Sequence, residues 1–260
     1  MKLGVNIDHI AVLREARMIA DPNPLDALSI AKRAGADQIT IHLREDRRHI
    51  QDIDALNIIY HSSLPVNLEC ALSPEIINIV SELRPHRVTL VPEKREEVTT
   101  EGGLNILDNN EHLLETIKHL QSLEIEISLF IDPTIENVEM AKELDVEWIE
   151  FHTGKYANLY AMLYSNLSNS HHNIPELELP RKELAIMIEE EVVNLRTLSC
   201  DAMELGLKVA AGHGLNYQNV KDIAEIETIE ELNIGQSIIA RSIFTGLEQA
   251  ILDMRSLLIR

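Results

Sequence analysis

The chain is short of the residues that mark several classes of protein. Aromatic residues make up 3% of its 260 positions, there are two cysteines, and 23 Lys and Arg face 43 Asp and Glu. With so few aromatics, aliphatic side chains must fill the interior, which suits layers of Ile, Leu and Val. Cys70 and Cys200 lie far apart and fit no metal-ligand spacing, and nothing calls for an oxidising compartment. The formal net charge of −20 is wrong for a general nucleic-acid binder or for a protein held on anionic lipid. No run approaches the ~20 apolar residues of a membrane span. The start, MKLGVNIDHI, lacks the apolar core of a signal peptide. A cytoplasmic location is expected by default.

What is present is a regular alternation. Short apolar runs at 3–7, 38–43, 66–70, 87–91, 126–131, 147–152, 207–211 and 231–234 read as strands. Helical spacing follows at 25–33, 50–61, 74–83, 108–123, 134–144, 189–205, 220–226, 238–244 and 247–258. Ser73-Pro74 has the form of an N-cap followed by a first-turn proline. The stretch between strand one and Pro24 reads as a loop. The segment 158–182 breaks the rhythm with Asn, Ser, His and two prolines, and reads as an insertion after strand six, partly helical over 158–167. Eight strand–helix units without a composition break predict one (β/α)8 TIM barrel over residues 1–260. An open doubly wound sheet would favour a Gly-rich dinucleotide turn after strand one, and Asn6-Ile7-Asp8-His9 is nothing like it.

In a barrel the C-terminal ends of the strands meet at one mouth. Those ends carry Asn6, Asp8 and His9; His42 and Arg44; Asn67 and Glu69; Asp132; Glu150 and His152; His213; and Asn233 with Gly235. Unpartnered carboxylates and imidazoles in aliphatic strands cost several kcal/mol each when buried, so their convergence points to a site. The stretch ITIHLREDRRHI puts Thr40, His42 and Arg44 on one face of a strand and then adds Arg47, Arg48 and His49, a local concentration of cations suited to an anion. Gly212-His213-Gly214 and Gly235-Gln236-Ser237 are the strand-seven and strand-eight turns where barrels bind phosphate. With Arg17 and the strand-two cations as a second anion site, two phosphoryl groups are expected, with Glu69, His42 and His213 moving protons. There is no H-x-H on strand one and no H-E-x-x-H, so metal catalysis is not indicated. Lys94 and Lys155 read as loop residues and Lys208 starts its strand, which argues against an imine-forming lysine.

The motifs GVNIDHIAVLR, IHLREDRRHI, LVPEKREEVTTEGGL, SLFIDP, EFHTG, KVAAGHGLNYQNV and ELNIGQSIIARS resemble, in order and over nearly the whole chain, the pyridoxine 5′-phosphate synthase family of vitamin B6 biosynthesis. The resemblance implies condensation of 3-amino-2-oxopropyl phosphate with 1-deoxy-D-xylulose 5-phosphate, no metal or organic cofactor, and a homo-oligomer, typically an octamer. It implies His42 and Glu69 as general bases, His213 as general acid/base and Glu150 as a transition-state stabiliser. Asn6, Arg17, Gly214, Gly235 and Gln236 would hold the amino-ketone phosphate. Asp8, His9, Arg44, His49 and Thr99 would hold the deoxyxylulose phosphate. Gln236 stands where other members carry histidine, and 158–182 is longer than the family pattern, which suits a subunit contact or surface decoration. The competing readings are another sugar-phosphate isomerase or aldolase barrel and a non-catalytic phosphate-ligand sensor.

Overall fold

A run that alternates apolar and polar side chains makes a strand with two unlike faces. In the computed structural model, which describes residues 1–92, 102–108 and 110–259, eight such strands close into a barrel in chain order, each parallel to its neighbours. They are β1 (Lys2–Asn6), β2 (Gln38–His42), β3 (Val66–Cys70), β4 (Arg87–Leu90), β5 (Glu126–Ile131), β6 (Trp148–His152), β7 (Lys208–Gly212) and β8 (Glu231–Ile234). The helices are α1 (Asp8–Glu15), α2 (Ala27–Arg33), α3 (Asp52–His61), α4 (Pro74–Leu83), α5 (Asn110–Gln121), α6 (Ile135–Glu143), α7 (Gly154–Tyr164), α8 (Arg181–Glu204), α9 (Val220–Ala224), α10 (Gln236–Thr245) and α11 (Leu247–Leu257). The chain is the expected (β/α)8 barrel.

The apolar face of each strand points outward under the helices. Leu3, Val5, Ile39, Ile41, Leu43, Leu68, Val88, Ile127, Leu129 and Ile149 are all fully buried there. Each such side chain contributes about 1.5–3 kcal/mol, so the sleeve between strands and helices is the stabilising core. The polar face points into the lumen, and hydrogen bonds across the barrel show it. Gln38 Nε2 donates to Glu231 (3.0 Å), Thr40 Oγ1 to Asn233 (3.2 Å), and Thr89 Oγ1 to Asn67 (2.9 Å). Barrel lumens are ordinarily packed with branched aliphatics; this one is built largely of hydrogen-bonding groups.

Three elements differ from the sequence reading. Helix α1 replaces the expected loop: its Ile10-Ala11-Val12-Leu13 run is apolar all round and hides the helical period. Helix α8 begins at Arg181, directly after Pro180, and not at 189; its opening Arg181-Lys182-Glu183 is charged and runs on from the polar segment before it. Helix α7 begins at Gly154, so the β6–β7 connection holds two helices packed on each other, joined by 3-10 turns at Leu167–Asn169 and Pro175–Leu177. Lys155 accordingly sits in the first turn of α7, exposed and paired with Glu191. Ser73 does occupy the N-cap position of α4, with Pro74 first in the helix, but its side chain makes no capping hydrogen bond.

Candidate active site

The C-terminal mouth opens into a cavity of about 550 Å³. Its lining includes Asn6, Asp8, His9, His42, Arg44, His49, Glu69, Glu150, His213, Gly214, Gly235 and Gln236. Strand register explains the gathering. His42 lies opposite Glu69 across β2 and β3, and His152 opposite Gly212 across β6 and β7. Two expected residues stand apart. Arg17 is exposed just beyond α1 and does not line the cavity, while Thr99 lies outside the described residues. None of residues 158–182 lines the cavity either.

One wall is a hydrogen-bonded frame. Asp8 accepts from Asn6 Nδ2 (3.0 Å) and from the His42 backbone N–H (2.9 and 3.1 Å), while its own N–H donates to Asn6 Oδ1 (2.9 Å). This locks the β1 turn onto β2. His49 Nδ1 accepts the Ile50 N–H (2.8 Å), which places the neutral ring's proton on Nε2. His42 meets His49 edge to face at 6.2 Å. Burial, with the nearby His49 and Arg44, pushes the His42 pKa down to about 3, so this ring is a neutral base.

The arginine run divides by task. Arg44 is buried in the cavity wall with Asp46 at 3.5 Å. Arg47 is held by Asp52 (2.6 Å), Glu75 (2.8 Å) and the Arg44 and Glu45 carbonyls. Arg48 is clamped to Asp46 (2.6 Å). Of the three arginines that the sequence groups together, Arg44 alone lines the cavity; the other two shape the loop. A smaller hollow of about 340 Å³ beside α3 holds the Arg14–Asp54 ion pair at its edge.

Two carboxyls, Glu69 on β3 beside His42 and Glu150 on β6, make part of the cavity acidic. Burial, reinforced by Glu150 and Asp8, holds the Glu69 carboxyl well above the usual carboxylate range. Burial pushes Glu150 up to about 7, against the opposing effect of a 2.7 Å hydrogen bond from Asn233 Nδ2. Neither group is an ordinary anion, and a carboxyl raised in this way is a stronger base when ionised and an acid when not.

His213 follows β7 with φ of +82°, and Gly214 follows with +76°. Two left-handed residues in succession turn the chain sharply, and Thr153 Oγ1 pins the turn by donating to the carbonyls of Gly212 (2.6 Å) and His213 (2.7 Å). The His213 ring packs edge to face on His152 at 4.9 Å, and His152 Nδ1 lies 3.2 Å from Asp132. Gly235 sits at the N-cap of α10, so close to Asn6 that a Cβ would fall 2.8 Å from the asparagine's own. The first-turn N–H groups of Gln236 and Ser237 have no intrahelical partner, the arrangement that suits a phosphate.

Sequence reasoning named His152, Asp132 and Asn233 at strand ends without assigning them roles. It missed Phe130, Asn216 and the deeper lumen residues Gln38, Arg87 and Glu231. The signal was there for the last three: each is the polar partner in an alternating strand.

A family model described as pyridoxal phosphate biosynthesis protein PdxJ matches residues 3–260. A protein of Sulfurovum sp. (strain NBC37-1) named pyridoxine 5′-phosphate synthase is 71% identical over 258 residues, covering 99% of this chain and 100% of that one. A protein of the same name from Aliarcobacter butzleri (strain RM4018) is 66% identical, covering 99% of each chain. Among solved structures, phosphoribosyl anthranilate isomerase from Thermococcus kodakaraensis superimposes with a TM-score of 0.58 at 11% identity, over 98% of this chain and 97% of that one, a likeness of fold alone.

Proposed function

The chain belongs to the family of pyridoxal phosphate biosynthesis protein PdxJ, and from that premise we propose that it makes pyridoxine 5′-phosphate by joining 3-amino-2-oxopropyl phosphate to 1-deoxy-D-xylulose 5-phosphate. The observation that carries the reading is the shared cavity: Glu69, His42 and His213 ring one hollow whose two sides, at Arg44 and at the turns of Gly214 and Gly235, each suit a phosphoryl group.

The amine of one substrate adds to the ketone of the other, and loss of water leaves an imine that ties the two together. Proton removal from carbon, paired with proton delivery to the departing oxygen, then expels water and inorganic phosphate. Ring closure gives the aromatic pyridine. Each elimination needs a base and an acid at once. Neutral His42 and ionised Glu69 serve as bases, and His213 delivers or accepts the proton on the other side. Glu150 stabilises positive charge that develops on the imine nitrogen. Asn6, Gly214, Gly235 and Gln236 hold the amino-ketone phosphate; Asp8, His9, Arg44, His49 and Thr99 hold the deoxyxylulose phosphate. For Arg17 to reach the amino-ketone phosphate, the segment 16–20 must fold toward the mouth.

The enzyme works in the cytoplasm as a homo-octamer without a cofactor. Apolar side chains left on the outside, Met18 (91% exposed) and Phe244 (88%) among them, support contacts between copies; sedimentation measures the assembly directly. The decisive assay supplies both substrates and follows pyridoxine phosphate absorbance. Phosphate release from either substrate alone would overturn the condensation. Glu69→Gln is expected to lower turnover by roughly 10²–10⁴-fold with substrate affinity nearly kept. Full turnover would point to a non-catalytic role for that carboxyl.

A further inference from the structure

Beneath Glu150 the lumen contains charged groups that the proposed reaction does not use. Arg87 Nη1 donates to Glu231 Oε1 at 2.8 Å, with side-chain exposures of 7% and 2%. The guanidinium carbon lies over Trp148, 3.7 Å from the ring centre, and Arg87 approaches Glu126 at 3.6 Å. Gln38 Nε2 donates to the same Glu231 oxygen at 3.0 Å and lies 3.5 Å from Asn233 Oδ1. Asn233 then donates to Glu150 at 2.7 Å. A continuous polar chain thus runs from the closed end of the barrel to a cavity carboxylate.

Resting on the synthase reading for its consequence in catalysis, we propose that the buried Arg87–Glu231 pair, acting through Gln38 and Asn233, is a positioning and charge-setting device for Glu150. Glu231, paired with Arg87 below the carboxylate, disfavours a negative charge on Glu150. Arg87 favours that charge, and the Asn233 amide donates to the carboxylate. Burial and Glu231 push Glu150 up, Asn233 and Arg87 hold it down, and the balance leaves it at about 7. The other groups that bear on it are Glu69 on β3, itself beside Asp8, and His152 on its own strand. Below, Lys2 and Lys208 lie over the Trp148 ring, 5.5 and 5.2 Å from its centre, and Glu126 lies beside Arg87. Gly212 of β7 leaves room for the carboxylate: a Cβ there would fall 2.3 Å from Glu150 Oε1.

The test is a titration of the Glu150 carboxyl by ¹³C NMR on the full chain, with the signal assigned by its loss in Glu150→Gln. Glu231→Gln removes the lower anion and leaves Arg87, so the Glu150 midpoint is expected to fall by roughly one to two pH units. Arg87→Met combined with Glu231→Gln is expected to return it toward the parent value. Asn233→Leu withdraws the donor to the charged form, and the midpoint is expected to rise. An unmoved midpoint in folded Glu231→Gln overturns the proposal, as does a double variant that stays at the single variant's value. Should Glu231→Gln fail to fold, Arg87→Met decides: it leaves the lower carboxylate uncompensated, so a raised Glu150 midpoint supports the device and an unmoved one overturns it. In turnover, the acidic limb of the pH profile for kcat is expected to follow the same shifts, which a merely structural pair would not move. The titration needs no product formation. A shifted midpoint in a protein that makes no pyridoxine phosphate therefore sinks the synthase reading alone, and an unmoved midpoint in an active enzyme sinks only this one.

Discussion

Replacing Asp54 by alanine tests how the cavity wall at His49 is held. Arg14 grips both carboxylate oxygens of Asp54, Nη1 at 2.9 Å and Nη2 at 2.6 Å, and Nη2 also reaches the His49 carbonyl at 3.1 Å. Both side chains are about 10% exposed. Asp54 Oδ2 further accepts the Gln51 N–H at 2.9 Å, satisfying a donor at the start of α3. The hydrogen bond that Arg14 donates to Asp54 is the main reason that the Arg14 pKa is raised. Asp54→Ala leaves a buried guanidinium with only Glu15 and a carbonyl. Breaking a buried pair in this way costs about 3–5 kcal/mol, a large part of the 5–15 kcal/mol that holds a typical protein. For a chain near this size each kcal/mol moves Tm by roughly 2–4 °C, so a fall of about 6–20 °C is expected in thermal melts at fixed protein concentration. Because Arg14 also anchors His49, inorganic phosphate should bind more weakly to the variant below its melting range. Arg14→Met with Asp54→Leu should regain most of the lost Tm, since an apolar pair strands no charge. A single variant that melts within about 3 °C of the parent would refute the reasoning.

Two further outcomes follow from the cavity. His42 stays neutral in the folded protein down to about pH 3, whereas in the unfolded chain it takes its proton near 6.5. The unfolded state binds more protons in that window, so stability is fully present above about 6.5 and is lost as pH falls toward 3. His42→Gln should flatten this loss when urea midpoints at pH 7 and pH 5 are compared, and equal slopes in variant and parent would count against it. Gly212→Ala should push the Glu150 carboxylate off Asn233, costing about 1–3 kcal/mol of stability and lowering kcat more than it raises KM. A variant with parental kcat would show that the carboxylate tolerates displacement.

The strands were legible because each carries its own period. The β3, β5 and β8 ranges match the sequence reading at both ends, and alternation placed Thr40, His42 and Glu69 on the inner face. What escaped is what alternation cannot encode. Helix α1 was hidden by an apolar run with no polar face, although its first residue, Asp8, is a cavity residue. Which arginine of the 44–48 cluster lines the cavity depends on where Asp46, Asp52 and Glu75 stand in space, and that is a tertiary matter. Reading the inner residues only at strand ends also left Arg87 and Glu231 unread, since a charged residue at the start of a strand looks like a solvated edge.

The polarity of the lumen has a consequence for how stability and chemistry are divided. A buried ion pair is at best a weak stabiliser compared with aliphatic residues of the same volume, so the Arg87–Glu231 pair and the amides above it contribute little that a Val/Ile/Leu lumen would not. The outward faces of the strands carry the stabilising burden instead, through side chains such as Ile39, Ile41 and Ile127 that have no exposed surface at all. With stability supplied by the sleeve, the lumen is free to transmit charge. In its low-dielectric interior an electrostatic change at the closed end is felt at the mouth more strongly than the same change on the wet surface. Substitutions deep in the lumen are therefore expected to alter proton transfer at residues they never touch, and substitutions in the sleeve to alter melting without altering the pH profile.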